Sequence, residues 1–213
     1  GLLVIMDGKR NDIGSTATAY AHGFLGPDGS TQFTSDCLTV SPYLGEDSLE
    51  PFVDVAHANG NGLFVLVKTS NPGGGRFQDL IADGLPVYRH VAALVNDLAS
   101  KTRGSEHHPY GSVGAVVGAT YPEQLEELRA AMPNTLFLVP GFGAQGGGAS
   151  DVAGGFDESG LGAIINSSRG IIFAHSREPY VDKFGDTRWQ DAVDSATRDM
   201  IAALAADTPA GNL

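Results

Sequence analysis

The sequence predicts an α/β fold in which strands and helices alternate and build a (β/α)8 barrel. Six apolar segments of strand length recur along the 213 residues, and segments of helical periodicity separate them. The sequence offers no turn signal for an antiparallel hairpin, so the strands are expected to be parallel and joined by right-handed crossovers. Polar or glycine-rich residues follow every predicted strand, as they do at the active-site rim of a barrel.

Six strands leave two architectures open. An open doubly wound sheet could be complete at six strands, whereas an eight-stranded barrel would need two more. The sequence also starts inside a predicted buried strand. We therefore expect residues 1–213 to form a single (β/α)8 barrel domain without its first two strands, although such a barrel would have two raw sheet edges.

The first predicted strand sets the pattern for the rest. Five apolar residues, Leu2 to Met6, predict a strand that is buried on both faces and ends at Asp7, and a helix is expected from Asp12 to Phe24. Glycine, proline and polar turns bound the later elements. The other predicted strands are Cys37 to Val40, Gly62 to Lys68, Ser112 to Val117, Thr135 to Val139 and Gly162 to Asn166, and the other helices are Leu49 to Ala58, Val87 to Ala99, Pro122 to Met132, a short one near Ala149 to Phe156, and Trp189 to Ala206.

Composition and charge exclude several classes of partner. The formal net charge of −12 would repel a nucleic-acid polymer or an anionic membrane, although one small anion could still bind in a local cationic pocket. The single cysteine, Cys37, cannot form an internal disulfide, which favours a reducing cytoplasm. No apolar run approaches the roughly 20 residues of a membrane helix, so a soluble protein is expected.

The end of the first strand gathers charges that are candidates for catalysis. Asp7 and Lys9 are two apart on a strand and should point the same way, and Asp12 and Thr16 are four apart and would share a face of a helix. Parallel α/β folds place their chemistry at this end of the strands. The alternative is a solvated turn with a surface ion pair, worth about 0–1 kcal/mol.

Two later segments predict a phosphate site. Gln145 lies in a glycine-rich run whose backbone N–H groups could approach an anion closely, and Arg169 follows the next strand with a planar fork that suits phosphate. Barrels commonly hold phosphate at the ends of their last two strands. A flexible surface loop and a rim salt bridge are the respective alternatives. Ser70, after the third strand, adds a short hydrogen-bonding group, or is part of an ordinary turn.

No convincing metal site emerges from the sequence. Glu106, His107 and His108 are neighbours in a polar loop and lack the i, i+4 helical spacing of a metal-binding pair, so we expect solvated loop residues. The other histidines are scattered along the chain. The sequence therefore predicts neither a metal nor a cofactor.

Five motifs follow the predicted strands: Asp7-x-Lys9-x-x-Asp12-Ile13-x-x-Thr16, Lys68-Thr69-Ser70-Asn71-Pro72, Val117-Gly118-Ala119-Thr120, Pro140 to Gly147 around Gln145, and Asn166-Ser167-Ser168-Arg169-Gly170. Taken together, they resemble the motifs of the orotidine 5'-phosphate decarboxylase family, in particular its longer bacterial type 2 branch. The likeness extends over nearly all of the chain, although related sugar-phosphate enzymes share the first motif.

The resemblance implies a carbon–carbon lyase that converts orotidine 5'-phosphate to UMP and CO2 without a cofactor, the last step of de novo pyrimidine synthesis. It implies that Lys9 donates the proton to C6 of the pyrimidine and that Asp7 faces the departing carboxylate. Asp12 would reach the neighbouring subunit's site, with Thr16 beside it, so the resemblance also implies a homodimer with shared active sites.

The resemblance assigns the remaining residues to substrate binding. Ser70 would contact the amide edge of the pyrimidine, and Gln145 and Arg169 would hold the phosphate. The family also has a further lysine and a further acid on two strands that precede those predicted here. The alternatives are a related sugar-phosphate decarboxylase or aldol-type synthase of the same barrel superfamily, and an inactive fragment that only binds nucleotide.

Overall fold

The computed structural model describes residues 1–27, 34–104, 108–143 and 148–213. The chain divides into two compact units. The first comprises Gly1–Val117 and Ala130–Leu138, and the second comprises Gly118–Arg129 and Val139–Leu213.

Strands and helices alternate along both units. The strands are β1 (Ile5–Arg10), β2 (Cys37–Val40), β3 (Gly62–Lys68), β4 (Ile81–Ala82), β5 (Leu85–Pro86), β6 (Val113–Val117), β7 (Phe137–Pro140) and β8 (Ala163–Asn166). The α-helices are α1 (Gly14–Leu25), α2 (Glu50–Asn59), α3 (Gly75–Gln78), α4 (Val87–Lys101), α5 (Pro122–Ala131), α6 (Ser168–Ile172), α7 (Tyr180–Phe184) and α8 (Trp189–Asp207). Turns of 3-10 helix span Glu46–Ser48, Ser150–Gly155, Ala174–Ser176, Asp186–Arg188 and Pro209–Asn212.

Six of the strands form one sheet in the order β1-β2-β3-β6-β7-β8. The pairs β1/β2, β2/β3, β3/β6 and β6/β7 are all parallel, as predicted. In register, Cys37 lies opposite Gly62, and Leu63 opposite Val113. Successive strands of a parallel sheet end at the same edge, so the residues after β1, β2 and β3 lie along one rim.

Both faces of the central strands of the first unit are buried, and all five residues of β6 lie in the core. Phe64, Val116 and Leu138 form a buried cluster, against which Ile5 and Cys37 pack. Side chains two apart on a strand share a face, so Thr39 points to the same side as Cys37, nearer the strand ends. In the second unit, Ala174, Ala192 and Ala196 form a smaller cluster with Tyr180 and Phe184.

The prediction for the first strand is wrong at both ends and in its burial. β1 begins at Ile5 and continues to Arg10, while Leu2 and Leu3 are 95% and 83% exposed. A strand extends only where its backbone finds a partner. Pairing with β2 starts where Ile5 lies opposite Cys37, and it continues until the Arg10 carbonyl accepts a 2.9 Å hydrogen bond from the Ser41 amide.

The expected absence of an antiparallel hairpin is also wrong. β4 and β5 pair antiparallel around Asp83 and Gly84, whose φ angles of 48° and 82° are both positive, as in a type I′ turn. The Asp-Gly dipeptide is the sequence signal for this turn. Its flanking strands have two residues each, too few for the alternation that identifies a strand.

The remaining predicted elements are confirmed, with ends that differ by at most two residues, apart from two local corrections. The segment near Ala149 to Phe156 is 3-10 rather than α-helix, and the predicted loop Ser167 to Gly170 enters α6 at Ser168. No helix in the described ranges has the length and apolar character needed to span a bilayer.

Candidate active site

Asp7 and Lys9 are in direct contact near the end of β1. The Lys9 ammonium donates a 2.6 Å hydrogen bond to Asp7 Oδ1. The Lys9 side chain is 50% exposed and that of Asp7 is 63% exposed, so both can be reached from solvent. The two groups form an accessible ion pair at the rim of the sheet.

A buried threonine on β2 completes this cluster. Thr39 has no exposed surface; its Oγ1 accepts a 2.9 Å hydrogen bond from the Lys9 backbone amide and donates one of 2.9 Å to Asp7 Oδ1. Lys9 adopts the left-handed backbone conformation, with φ at 46°. Sequence reasoning missed Thr39 because threonine is an ordinary strand residue and carries no charge.

The cluster keeps Asp7 ionised. Partial burial by itself raises the pKa of Asp7, but the hydrogen bonds from Lys9 and Thr39, together with the charge of Lys9, lower this pKa below its ordinary value of 3.8. At neutral pH the site therefore carries a carboxylate against an ammonium, with no net charge from the pair.

The residues after Lys9 are fixed to the end of β2. The Asn11 side-chain amide donates a 2.6 Å hydrogen bond to the Ser41 carbonyl, and the Arg10 side chain folds back to donate one of 2.8 Å to the Gly8 carbonyl. The Arg10 guanidinium also lies 5.9 Å from the centre of the Tyr20 ring. The bond to Ser41 and the bond from the Arg10 side chain thus fix the backbone from Gly8 to Asn11.

Asp12 and Thr16 lie at the start of α1, and the expected helical spacing between them is wrong. The helix begins at Gly14 after Ile13, so Asp12 precedes it, and its Oδ1 accepts a 2.9 Å hydrogen bond from the Ile13 amide. A carboxylate that binds the backbone ahead of a helix competes with helical geometry there. Within the described ranges, no hydrogen bond or ion pair joins Asp12 or Thr16 to Lys9.

A second cluster surrounds Ser70 after β3. Lys68 is 2% exposed, its ammonium pairs with Asp79 Oδ1, and it lies 5.2 Å from the centre of the Tyr88 ring. Thr69 and Gln78 exchange two hydrogen bonds, of 3.1 Å and 2.8 Å, across the loop that contains half-buried Ser70. The sequence signal for this cluster is the charge of Lys68 at the end of an apolar strand.

The phosphate-site candidates lie in the second unit. Arg169 is exposed in α6, and the neighbouring Ser167 hydroxyl donates a 3.3 Å hydrogen bond to the Phe142 carbonyl. Gly143, with φ at 72°, helps to line a cavity of about 250 Å³ together with Gly170. Gln145 lies outside the described residues.

Metal ligands do not assemble in the part of the chain that the structure describes. No group of three His, Cys, Asp or Glu side chains there could hold a metal ion. His108 is exposed, and its carbonyl accepts a hydrogen bond from Arg103, whereas Glu106 and His107 are among the residues not described.

Comparison with known proteins assigns the family. A model described as the Orotidine 5'-phosphate decarboxylase / HUMPS family matches residues 1–184. The chain belongs to this family. Two relatives named orotidine 5'-phosphate decarboxylase are those of Rhodopirellula baltica, 61% identical over 203 residues, and Deinococcus radiodurans, 48% identical over 174 residues. These alignments cover 94% and 82% of this chain, but 66% and 60% of the relatives.

Solved structures agree with this assignment. A structure from Streptomyces avermitilis is 41% identical with a TM-score of 0.72, and the match covers 96% of this chain and 66% of that one. The OMP decarboxylase of Leishmania donovani is 30% identical with a TM-score of 0.66, covering 94% of this chain and 69% of that one. Together with the parallel strand order, these matches confirm the predicted fold class, a partial (β/α)8 barrel.

Proposed function

We propose that this member of the orotidine 5'-phosphate decarboxylase family converts orotidine 5'-phosphate to UMP and CO2 without a cofactor. The observation that carries the proposal is the contact of Lys9 with Asp7 at the end of β1. Thr39 fixes this contact through hydrogen bonds to both residues. The curated relatives that carry the decarboxylase name support it and do not favour a sugar-phosphate enzyme.

The proposed chemistry depends on the charge of Lys9. Loss of CO2 leaves a carbanion at C6, and an ammonium about 4 Å away stabilises it by roughly 4 kcal/mol at an effective dielectric near 20. That energy corresponds to about three decades of rate, and the attraction exists only once the negative charge has developed. Lys9 then gives a proton to C6, and the amine that remains continues to donate a hydrogen bond to the Asp7 carboxylate.

Asp7 is proposed to face the substrate carboxylate. Because the pKa of Asp7 is lowered by its contacts, despite the opposing effect of partial burial, the group is ionised throughout the neutral range. Two carboxylates side by side repel each other, and this repulsion ends when CO2 departs. The exposed position of Asp7 leaves room for the substrate at this edge.

Binding of the substrate is proposed to involve three further residues. Ser70 would contact the amide edge of the pyrimidine, and Gln145 and Arg169 would hold the phosphate. The exposed guanidinium of Arg169, next to backbone that includes Gly170, suits a phosphate group.

A homodimer is part of the proposal. Asp12 and Thr16 would complete the active site of the partner subunit, close to its lysine and the ribose. Ile13, between them in sequence, is 58% exposed, and Thr16 is exposed as well, so this segment presents an apolar and polar surface that a second copy could cover.

The chain spans about two thirds or less of the curated relatives it matches. We propose that residues 1–213 form a single (β/α) barrel domain of this family. A cytoplasmic location stays a prediction from the single cysteine.

The experiment is turnover of orotidine 5'-phosphate by the purified chain, followed by loss of the orotate chromophore, with and without EDTA. We expect UMP to form at the same rate in both. Turnover that requires Mg²⁺, or that acts on a sugar phosphate lacking a base, would contradict the proposal in favour of a related barrel enzyme. Nucleotide binding without any turnover would make the chain an inactive fragment.

A further inference from the structure

We propose that Thr39 is the positioning residue of the Asp7–Lys9 pair, with one hydroxyl that sets both the backbone of Lys9 and the direction of the Asp7 carboxylate. The inference rests on the proposed function for its effect on catalysis. The dependence of the Lys9 conformation on Thr39 does not rest on the proposed function.

Only one assignment of donors and acceptors is possible around the Thr39 hydroxyl. A backbone amide can only donate, so the Thr39 oxygen accepts from the Lys9 N–H at 2.9 Å. The single hydroxyl proton then goes to Asp7 Oδ1, also at 2.9 Å. The Lys9 ammonium binds the same Oδ1 at 2.6 Å, so the backbone and side chain of Lys9 are linked through Thr39 and Asp7 in a closed ring.

The irregular register of β1 explains why Lys9 needs this partner. Met6 pairs with Leu38 and Arg10 pairs with Val40, so four steps of β1 lie against only two steps of β2. The extra residues bulge out of the ladder, and Lys9 adopts φ at 46°. A left-handed conformation in a residue other than glycine persists only where its surroundings fix it.

Thr39 is placed to supply that constraint. It lies opposite the bulge, between Leu38 and Val40, and it has no exposed surface. The hydroxyl itself is therefore out of contact with solvent. Removing the hydroxyl leaves the Lys9 amide without its acceptor, and it removes one of the two hydrogen-bond donors to Asp7. The Lys9 backbone and the Asp7 carboxylate are then no longer held in their positions.

The test compares Thr39→Val, which keeps the shape and loses the hydroxyl, with Thr39→Ser, which keeps the hydroxyl. We expect kcat to fall about 10- to 100-fold in Thr39→Val with KM changed by less than about threefold, since misplacement rather than lost binding is the cause. Thr39→Ser should keep kcat within about threefold of wild type. Thr102→Val is the matched control, because Thr102 is also buried but its hydroxyl donates to the Leu98 carbonyl of the preceding helix α4, and the kcat of this variant should not change.

Hydrogen exchange of the Lys9 amide gives a readout that needs no activity. The amide should be protected in wild type and in Thr39→Ser, and should exchange at least about tenfold faster in Thr39→Val. An unprotected Lys9 amide in the wild-type protein would overturn the inference even if Thr39→Val failed to fold. Equal losses of kcat in the Val and Ser variants would also overturn it. Wild type that is inactive but has a protected Lys9 amide would contradict the proposed function and leave the role of Thr39 supported.

Discussion

Lys68 ends β3 with its side chain 2% exposed, and its ammonium is paired with Asp79, eleven residues further along the chain. The pair closes the loop that carries Ser70 against the start of α4, where Tyr88 lies under the ammonium. A buried ammonium depends on such partners, because its desolvation is expensive. The pair therefore links the stability of the first unit to the position of a candidate substrate-binding residue.

Removing the carboxylate of this pair should destabilise the protein. In Asp79→Asn we expect the free energy of unfolding to fall by about 1–3 kcal/mol, less than for a fully buried pair because Asp79 is 47% exposed. Urea denaturation measures the change. The control is Asp194→Asn, which breaks the exposed i, i+4 pair with Arg198 and should leave the midpoint unchanged. Equal midpoints for Asp79→Asn and wild type would show that the buried pair does not support the fold.

The lowered pKa of Asp7 predicts a specific dependence of stability on pH. A group whose pKa is lower in the folded than in the unfolded protein contributes stability above its unfolded pKa and loses it as the pH falls through the folded pKa. The difference in unfolding free energy between wild type and Asp7→Asn should therefore be constant above about pH 5 and shrink below about pH 4. Denaturation midpoints from pH 2 to 7 measure it, and a carboxyl titration by NMR should place the pKa of Asp7 below 3.8. A difference that grows towards low pH would contradict the assigned contacts.

Arg169 should act on substrate binding rather than on the chemical step. A charge-assisted hydrogen bond to phosphate corresponds to about 10- to 100-fold in affinity, so Arg169→Ala should raise KM and the Kd for UMP by that factor. Arg169→Lys should recover part of the loss, because a lysine keeps the charge without the planar fork. Arg177→Ala removes another exposed arginine of the same unit and serves as the control. A kcat effect of Arg169→Ala with unchanged UMP binding would place this residue outside the phosphate site.

The elements that the sequence predicted best are those whose ends are set by local signals. β3, from Gly62 to Lys68, begins at a glycine turn and ends at a charge, and both ends are as predicted. β1 was mispredicted because its extent depends on pairing with β2, which lies about 30 residues away in sequence. The Asp83-Gly84 dipeptide is typical of a hairpin turn, but the β4/β5 hairpin is hard to predict because each of its strands has only two residues.

In the candidate site too, features set by local sequence are predictable, and features that depend on a distant strand are not. The contact between Asp7 and Lys9 follows from their spacing on a strand, but the bulge and the left-handed Lys9 arise from the register of two strands, which no local pattern encodes. Thr39 could not be singled out for the same reason, because its role comes from what lies opposite it. The sequence predicts that the first helix starts at Asp12, whereas the bond of the Asp12 carboxylate to the Ile13 amide keeps Asp12 outside the helix.

The most direct test of the account is decarboxylation of orotidine 5'-phosphate by Lys9→Ala, with Lys101→Ala, at the exposed end of α4, as the control. We expect kcat of Lys9→Ala to fall at least about 1,000-fold, since the ammonium stabilises the carbanion and supplies its proton. UMP binding by calorimetry should stay within about tenfold of wild type, because the phosphate contacts remain. A Lys9→Ala protein that decarboxylates at the wild-type rate would contradict the central claim.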